Sequence, residues 1–376
     1  MTIPFNWATP IGRELEYVAQ AATSGHLSGD GQFARRCEAV LQAETGATRA
    51  LLTTSCTHAL EMAALLLRLG PGDEVIVPAF TFVSTVNSFV LRGATPVFAD
   101  IRPDTLNIDE RRLPALITPR TRAIVVVHYA GVGCEMDAIL EAAARAGVPV
   151  VEDNAHGLFG RYRGRQLGTL GTMATLSFHE TKNVTCGEGG ALLVNDGGLV
   201  ERAEILREKG TNRSRFFRGE IDKYTWVDVG SSYVLSEILA AFLLAQLEER
   251  ESIQSRREAI YRRYAAALAP WATANGVILP CVPAHCDVSF HLFHVRLPDL
   301  NTRGRFIAHL KEASMHAVFH YIPLHLAPMA GTWSGKAGDC PITEQVSDRL
   351  VRLPFYTTLS ADDQQRVIDR ILSFRS

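Results

Sequence analysis

The run VPVVEDNAHG (Val148–Gly157) decides how the rest of the chain is read. Its apolar residues are consecutive, and two acids follow them directly. Consecutive valines suit a strand buried on both faces, as in a mostly parallel sheet. An acid where such a strand ends is costly unless it meets a positive partner. Ligands of open α/β sheets bind at those carboxyl ends. Asp153 is therefore a candidate functional acid, with a helix cap or a surface turn as the plain alternative.

The same signature recurs on either side. Upstream lie EVIVP (Glu74–Pro78), TPVFAD (Thr95–Asp100) and AIVVVH (Ala123–His128); downstream lie TLSFH (Thr175–His179) and ALLVN (Ala191–Asn195). Helical stretches, HALEMAALLLRL (His58–Leu69) and MDAILEAAARA (Met136–Ala146), sit between them, punctuated by Pro71-Gly72-Asp73 and by Gly147. This alternation predicts an α/β domain, a mostly parallel central sheet flanked by helices. Near Leu247 the rhythm changes. Leu247–Pro270 reads as one long amphipathic helix ended by Pro270. Phe290–Leu297 and Ala317–Pro323 read as strands, and Ser360–Phe374 as a helix capped by Ser360. The expected organisation is a large domain with an N-terminal arm, residues 1–246, and a smaller C-terminal α+β domain, residues 247–376.

Composition narrows the function classes. The 376 residues are 47% hydrophobic and 21% charged, which suits a packed core and excludes disordered and fibrous classes. Lys and Arg number 38 against 40 Asp and Glu, a net charge of -2, so neither nucleic acid nor a membrane surface is expected as a partner. No apolar run approaches the roughly 18 residues of a spanning helix. The opening MTIPFNWATP has no basic flank and no apolar run, so no signal peptide is expected. Seven scattered cysteines without a C-x-x-C pair argue against zinc or a disulfide framework and for a cytoplasmic location.

Three further segments bear on chemistry. In LSFHETKN (Leu176–Asn183), Lys182 follows an apolar strand. GEGGALLVN (Gly187–Asn195) has glycines that let backbone approach a ligand, or simply turn between strands. In LLTTSCTHALEMAALLL (Leu51–Leu67) small polar residues precede a helix. Ser55, Cys56 and Thr57 there offer amides and hydroxyls to a phosphate, or merely cap the helix. No G-x-G-x-x-G run occurs, which removes the main signature of a Rossmann dehydrogenase. Pyridoxal phosphate chemistry needs a lysine, a carboxylate against the ring nitrogen and a phosphate cup together. Lys182, Asp153 and Ser55–Thr57 supply that set.

With these pieces placed, the chain resembles the sugar-nucleotide aminotransferases of the DegT/StrS family, which have the pyridoxal phosphate aminotransferase fold type I. The stretches that carry the likeness are PGDEVIVPAFTFVST, VHYAG, VVEDNAHG, SFHETKN, GEGGALLVN and HYIPLH. Within the family, CTHALEMAALLL, REKGTNRSRFFRG, DKYTW and FHYIPLH are most similar to dTDP-4-amino-4,6-dideoxygalactose transaminases. The resemblance implies pyridoxal 5'-phosphate as cofactor, with pyridoxamine 5'-phosphate as its intermediate form. It implies Lys182 as the Schiff-base lysine and Asp153 as the acid at the ring nitrogen. It further implies Phe82 stacked on the ring, Cys56, Thr57 and Ser177 at the phosphate, and His156 near the phenolic oxygen. His156 stands where relatives have Gln; unlike Gln it titrates, which predicts a pH effect. Ser232, in Gly230–Val234, stands where the neighbouring subunit of a homodimer donates to the phosphate, usually through Asn. Arg207, Arg213, Arg215 and Arg218 are expected at the diphosphate of the nucleotide sugar, and His320 and Tyr321 along the sugar pocket.

The implied reaction takes an amine from L-glutamate to dTDP-4-keto-6-deoxy-D-glucose. Alternatives are a 3-keto or a UDP- or GDP-linked sugar, or a non-catalytic family member. A pyridoxamine-dependent 3-dehydratase has histidine at the lysine position, so Lys182 argues against it.

Overall fold

The computed structural model describes residues 2–333 and 335–375. Its strands are Arg49–Thr53 (β1), Glu74–Pro78 (β2), Thr95–Ala99 (β3), Thr121–Val127 (β4), Val150–Asp153 (β5), Arg161–Tyr162 (β6), Arg165–Gln166 (β7), Met173–Ser177 (β8), Gly190–Val194 (β9), Cys286–Asp287 (β10), His294–Arg296 (β11), Val318–Phe319 (β12) and Leu350–Arg352 (β13). Seven of them form the central sheet in the order β1-β9-β8-β5-β4-β2-β3. β9 runs antiparallel to both neighbours, and the other pairs are parallel.

The consecutive apolar residues of the strands serve two faces at once, because successive side chains point opposite ways. Val75, Val77, Val125 and Val151 pack on one face with the helix Cys56–Leu66. Ile76, Ile124, Val126 and Val150 pack on the other with the helix Met136–Ala146. On that second face Leu52, Leu176 and Leu193 meet residues from the helices Glu14–Thr23, Gln32–Thr45 and Glu237–Glu248. An unbroken valine run is thus what a sheet covered on both sides requires.

A second core forms around the three-stranded antiparallel sheet β11-β13-β12. It joins Val351 and Phe293 to Tyr264, Leu268, Trp271, Phe306, Val367 and Ile371 from three helices. The helix Arg250–Ala274 links the two cores, with Ile253 in the first and Ile260 onward in the second. Several boundaries differ from the sequence reading: the runs Phe290–Leu297 and Ala317–Pro323 are strands only over His294–Arg296 and Val318–Phe319. Leu247 belongs to the preceding helix, and the long helix runs through Pro270 to Ala274. Pro270 costs a hydrogen bond and crowds the turn before it, but Trp271 and Ala272 just beyond are buried in the second core, and Trp271 Nε1 donates to Phe374 O at 3.1 Å. The N-terminal arm crosses to this core too. Ile3 is buried there, bonded through its backbone to Ser314 and His316. That anchoring brings Phe5 to the cleft between the cores. No helix among the described residues is long and apolar enough to cross a membrane.

Candidate active site

A cavity of about 800 Å³ opens at the carboxyl ends of β4, β5 and β8, where Val127, Asp153 and Ser177 line it, within the size range of small-molecule sites. Asp153, the last residue of β5, is almost wholly buried. Thr85 Oγ1 donates to its Oδ2 at 2.7 Å, and the Ala155 amide donates to Oδ1 at 3.2 Å. Burial pushes its carboxyl pKa up, against the pull of those two bonds and of Lys182. Lys182 sits in the turn after β8, its amide bonded to His179 O at 2.9 Å. Burial pulls its amine from 10.5 down to about 8, against the opposing pull of Asp153.

The third piece is the N-terminus of the helix Cys56–Leu66. Ser55 has extended backbone and its Oγ takes the His58 amide at 3.1 Å, so it caps the helix. The amides of Cys56 and Thr57 have no acceptor within the helix, and both residues line the cavity. Gly190 of β9 lies against this turn. A Cβ there would come within 2.4 Å of Cys56 N. The glycine of the GEGG run is therefore needed for close approach to the turn's own backbone.

Aromatic groups close the walls. Phe82 is 57% exposed yet faces the cavity, its ring 6.4 Å from that of Tyr321. His156 stacks on His291 at 4.2 Å and 24°, and its Nδ1 accepts from the Ala130 amide at 3.4 Å. The hydrogen of the neutral ring then sits on Nε2. Burial, with Lys182 and Arg352 nearby, holds its pKa well below 6.5. The pH effect expected of a titrating His156 is therefore displaced to pH well below the ordinary histidine range. His320 is buried with Nδ1 3.0 Å from Tyr129 Oη, and with Tyr321 it lines the cavity. Among the described residues no cluster of His, Cys, Asp or Glu is arranged to hold a metal ion.

The model of the DegT/DnrJ/EryC1/StrS aminotransferase family matches residues 10–372. The chain belongs to this family. It is 36% identical over 370 residues to the spore coat polysaccharide biosynthesis protein SpsC of Bacillus subtilis, covering 96% of this chain and 94% of that one. It is also 36% identical over 361 residues to GDP-perosamine synthase of Caulobacter vibrioides, covering 95% and 94%. Among solved structures, the PLP form of Spr1654 from Streptococcus pneumoniae matches with a TM-score of 0.91 at 26% identity, over 99% of this chain and 98% of that one. The same protein is known in a PMP form.

This sugar aminotransferase is accordingly an enzyme that depends on pyridoxal phosphate. Its residues fit the cofactor. A buried acid whose pKa burial raises gains a partner from a protonated ring nitrogen. The unpaired amides at Cys56 and Thr57, with Ser177 beside them, suit a phosphate. A half-exposed Phe82 offers a face to a flat ring.

The arginine-rich stretch of the aminotransferase lies elsewhere. None of Arg207, Arg213, Arg215 and Arg218 lines the cavity of its own chain. Arg207 departs furthest from expectation, because its side chain is 3% exposed and is held by Glu38 and Asp30. Arg213 faces Glu208 at 3.7 Å, Arg215 pairs with Glu201 and Glu220, and Arg218 with Glu204 and Glu220. Ser232 is exposed and bridged to Glu208, outside the cavity of its own chain. Conversely, Thr85, His291, Phe5 and Arg352 line the cavity and were not among the sequence candidates. Thr85 had a signal, since it ends the quoted AFTFVST run. Arg352 had none, because only the tertiary fold brings β13 to the site.

Proposed function

We propose that this aminotransferase moves the amine of L-glutamate to C4 of a nucleotide-linked 4-keto-6-deoxy sugar. The acceptor is dTDP-4-keto-6-deoxy-D-glucose, and the products are dTDP-4-amino-4,6-dideoxy-D-galactose and 2-oxoglutarate. The observation that carries the chemistry is one cavity holding Lys182, Asp153 and the helix N-terminus at Ser55–Thr57. The choice of acceptor rests on the resemblance of CTHALEMAALLL, REKGTNRSRFFRG and FHYIPLH.

When bound, pyridoxal phosphate supplies an electron sink next to the carbon that loses its proton. Asp153 would hold the cofactor at its ring nitrogen and favour the protonated form there. Ser177, with the amides of Cys56 and Thr57, would hold the phosphate, and Phe82 would offer its face to the ring. Lys182 Nζ, with a pKa of about 8, is poised to act as both base and acid near neutral pH. It removes the donor's Cα proton in one half-reaction and delivers a proton to the sugar's C4 in the other. His156 would offer its Nε2 hydrogen to the cofactor's oxygen, and His320 and Tyr321 would border the sugar.

A homodimer with a shared site would bring Ser232, Arg213, Arg215 and Arg218 of a second copy to the cavity mouth. Phe217, Tyr224 and Trp226 on the same stretch are 67%, 50% and 77% exposed, an apolar surface that suits a subunit interface. Seven free thiols suit a reducing cytoplasm.

The test is a visible absorption spectrum of the holoenzyme, taken before and after L-glutamate and again after the dTDP-linked keto sugar. The expected band fades with glutamate and returns with the sugar. Initial-rate lines should be parallel. A band that fades and does not return would overturn the acceptor. Similarity to a GDP-perosamine synthase favours a GDP-linked keto sugar as the second reading, and the same spectrum with that compound separates the two.

A further inference from the structure

We propose that Thr85 is a positioning residue for the cofactor: its hydroxyl, backed by that of Thr81, fixes Asp153 as the acceptor that the ring nitrogen meets. This role rests on the placing of Asp153 at that nitrogen proposed above, and not on which sugar accepts the amine.

Thr85 lies in the first turn of the helix Ser84–Val90, and both it and Thr81 are almost wholly buried. Thr85 Oγ1 stands 2.7 Å from Asp153 Oδ2 and 2.8 Å from Thr81 Oγ1. The direction of both bonds follows from their hydrogens. A hydroxyl has one hydrogen to donate, and a carboxylate can only accept. The Thr85 hydrogen therefore goes to Asp153, and the Thr85 oxygen takes the hydrogen of Thr81. Two hydroxyls in series point at one carboxylate oxygen, and each polarises the next. Among the described residues no other side chain hydrogen-bonds to Asp153; its remaining contact is the Ala155 amide on Oδ1.

Asp153 needs this support because it is buried. Burial favours the neutral acid, which would present a hydrogen to the ring nitrogen where a lone pair is wanted. A donated hydrogen bond favours the charged form, and Thr85 acts in that direction. With one oxygen held by Thr85 and the other by an amide, the carboxylate is also oriented in advance.

The same turn reaches the other two cofactor contacts. The Thr85 amide donates to Phe82 O at 3.1 Å. Thr57 Oγ1 donates to Ser84 Oγ at 2.8 Å, and Ser88 Oγ donates to Thr57 O at 3.3 Å. Residues 82–88 thus tie together the ring face, the acid and the phosphate end. Valine has nearly the shape of threonine, so it would keep this turn and remove the hydroxyl alone.

The experiment uses full-chain apoenzyme of the wild type, T85V, T85S, D153N and the T85V/D153N double variant. Each is titrated with pyridoxal phosphate and with its analogue that carries C–H in place of the ring nitrogen. Dissociation constants are read from quenching of protein fluorescence. T85V is expected to weaken pyridoxal phosphate about 10-fold and the analogue less than about twofold. T85S should bind pyridoxal phosphate within about threefold of wild type. In the D153N background T85V should add less than about twofold. If T85V does not fold, T81V takes its place, with an expected loss of about threefold on pyridoxal phosphate alone. An equal loss for both ligands, or a loss that persists in full beside D153N, would make Thr85 part of the turn only and overturn the proposal. Unchanged binding in T85V would overturn it outright. If D153N binds both ligands as the wild type does, Asp153 does not face the ring nitrogen, and the reading above falls together with the proposal. If D153N loses pyridoxal phosphate selectively and T85V does not, that reading stands and the proposal alone falls.

Discussion

The cavity end of the central sheet and the stretch Arg207–Arg218 both concentrate charge, and they use it in opposite ways. At the cavity, Asp153 and Lys182 are crowded by protein without forming an ion pair with each other, and Arg352 has no acid at all among the described residues. In the stretch, Arg207, Arg215 and Arg218 are each held by two carboxylates of the same chain. Arg207, paired and buried, is part of the framework; a charge left unpaired at a cavity is available to a ligand. The sequence displays both kinds alike, and only the structure separates them.

The largest effect should come from the cavity. On the proposed mechanism Lys182→Ala removes the amine that moves the Cα proton, and turnover should fall by about 10⁴-fold or more. The visible band should disappear while circular dichroism stays that of the wild type. Turnover within tenfold of wild type would remove Lys182 from the mechanism.

The arginine stretch should respond through stability. Arg207→Met leaves Glu38, buried in the same network, without its closest cation, although Arg49 still reaches it at 3.0 Å. Unfolding in urea should show a loss of about 3 kcal/mol, and KM for the nucleotide sugar in the folded fraction should not move. A KM effect without a stability loss would reverse the contrast drawn between the two regions.

Acid should weaken the cavity's histidine wall. His156, His291 and His320 have folded-state pKa values well below 6.5, and His294 is lowered to about 3, all chiefly through burial. The unfolded chain binds these protons more readily. Stability is therefore whole above about pH 6.5 and is lost as pH falls below it, each histidine contributing about 1.4 kcal/mol per pH unit. His291→Gln should flatten that slope by one proton between pH 6.5 and 5, measured by urea titration at stepped pH. An unchanged slope would mean the ring does take a proton in the folded state.

These contrasts also show what could be read from the sequence. The strands were legible because Val-rich runs answer a local demand, that of a sheet covered on both faces. The helix Met136–Ala146 was legible to its ends because Gly147 turns left-handed at φ 65° and stops it. Asp153 and Lys182 were legible as candidates because one ends, and the other follows, a strand that the pattern had placed. Arg352 was not, because β13 reaches the cavity only through the packing of the second core. The fate of Arg207 was hidden for the same reason, since Glu38 and Asp30 lie more than 150 positions away. Pro270 misled because a local rule met a tertiary demand, the burial of Trp271.

The smallest effect sharpens the comparison most, because it separates capping from binding at equal chemical cost. Ser55 and Ser360 cap their helices in the same way, each Oγ taking the amide three residues on, at 3.1 Å to His58 and 3.0 Å to Asp363. Ser360 lies at the surface of the second core, whereas Ser55 lines the cavity. Replacing either with alanine should cost about 1 kcal/mol in stability. If the N-terminus at Ser55 also holds the phosphate, Ser55→Ala should in addition raise the dissociation constant of pyridoxal phosphate several-fold, as read by fluorescence titration of the apoenzyme. Ser360→Ala should leave it alone. Equal behaviour of the two variants in both measurements would reduce Ser55 to a helix cap, and the phosphate would then rest on the amides of Cys56 and Thr57 and on Ser177.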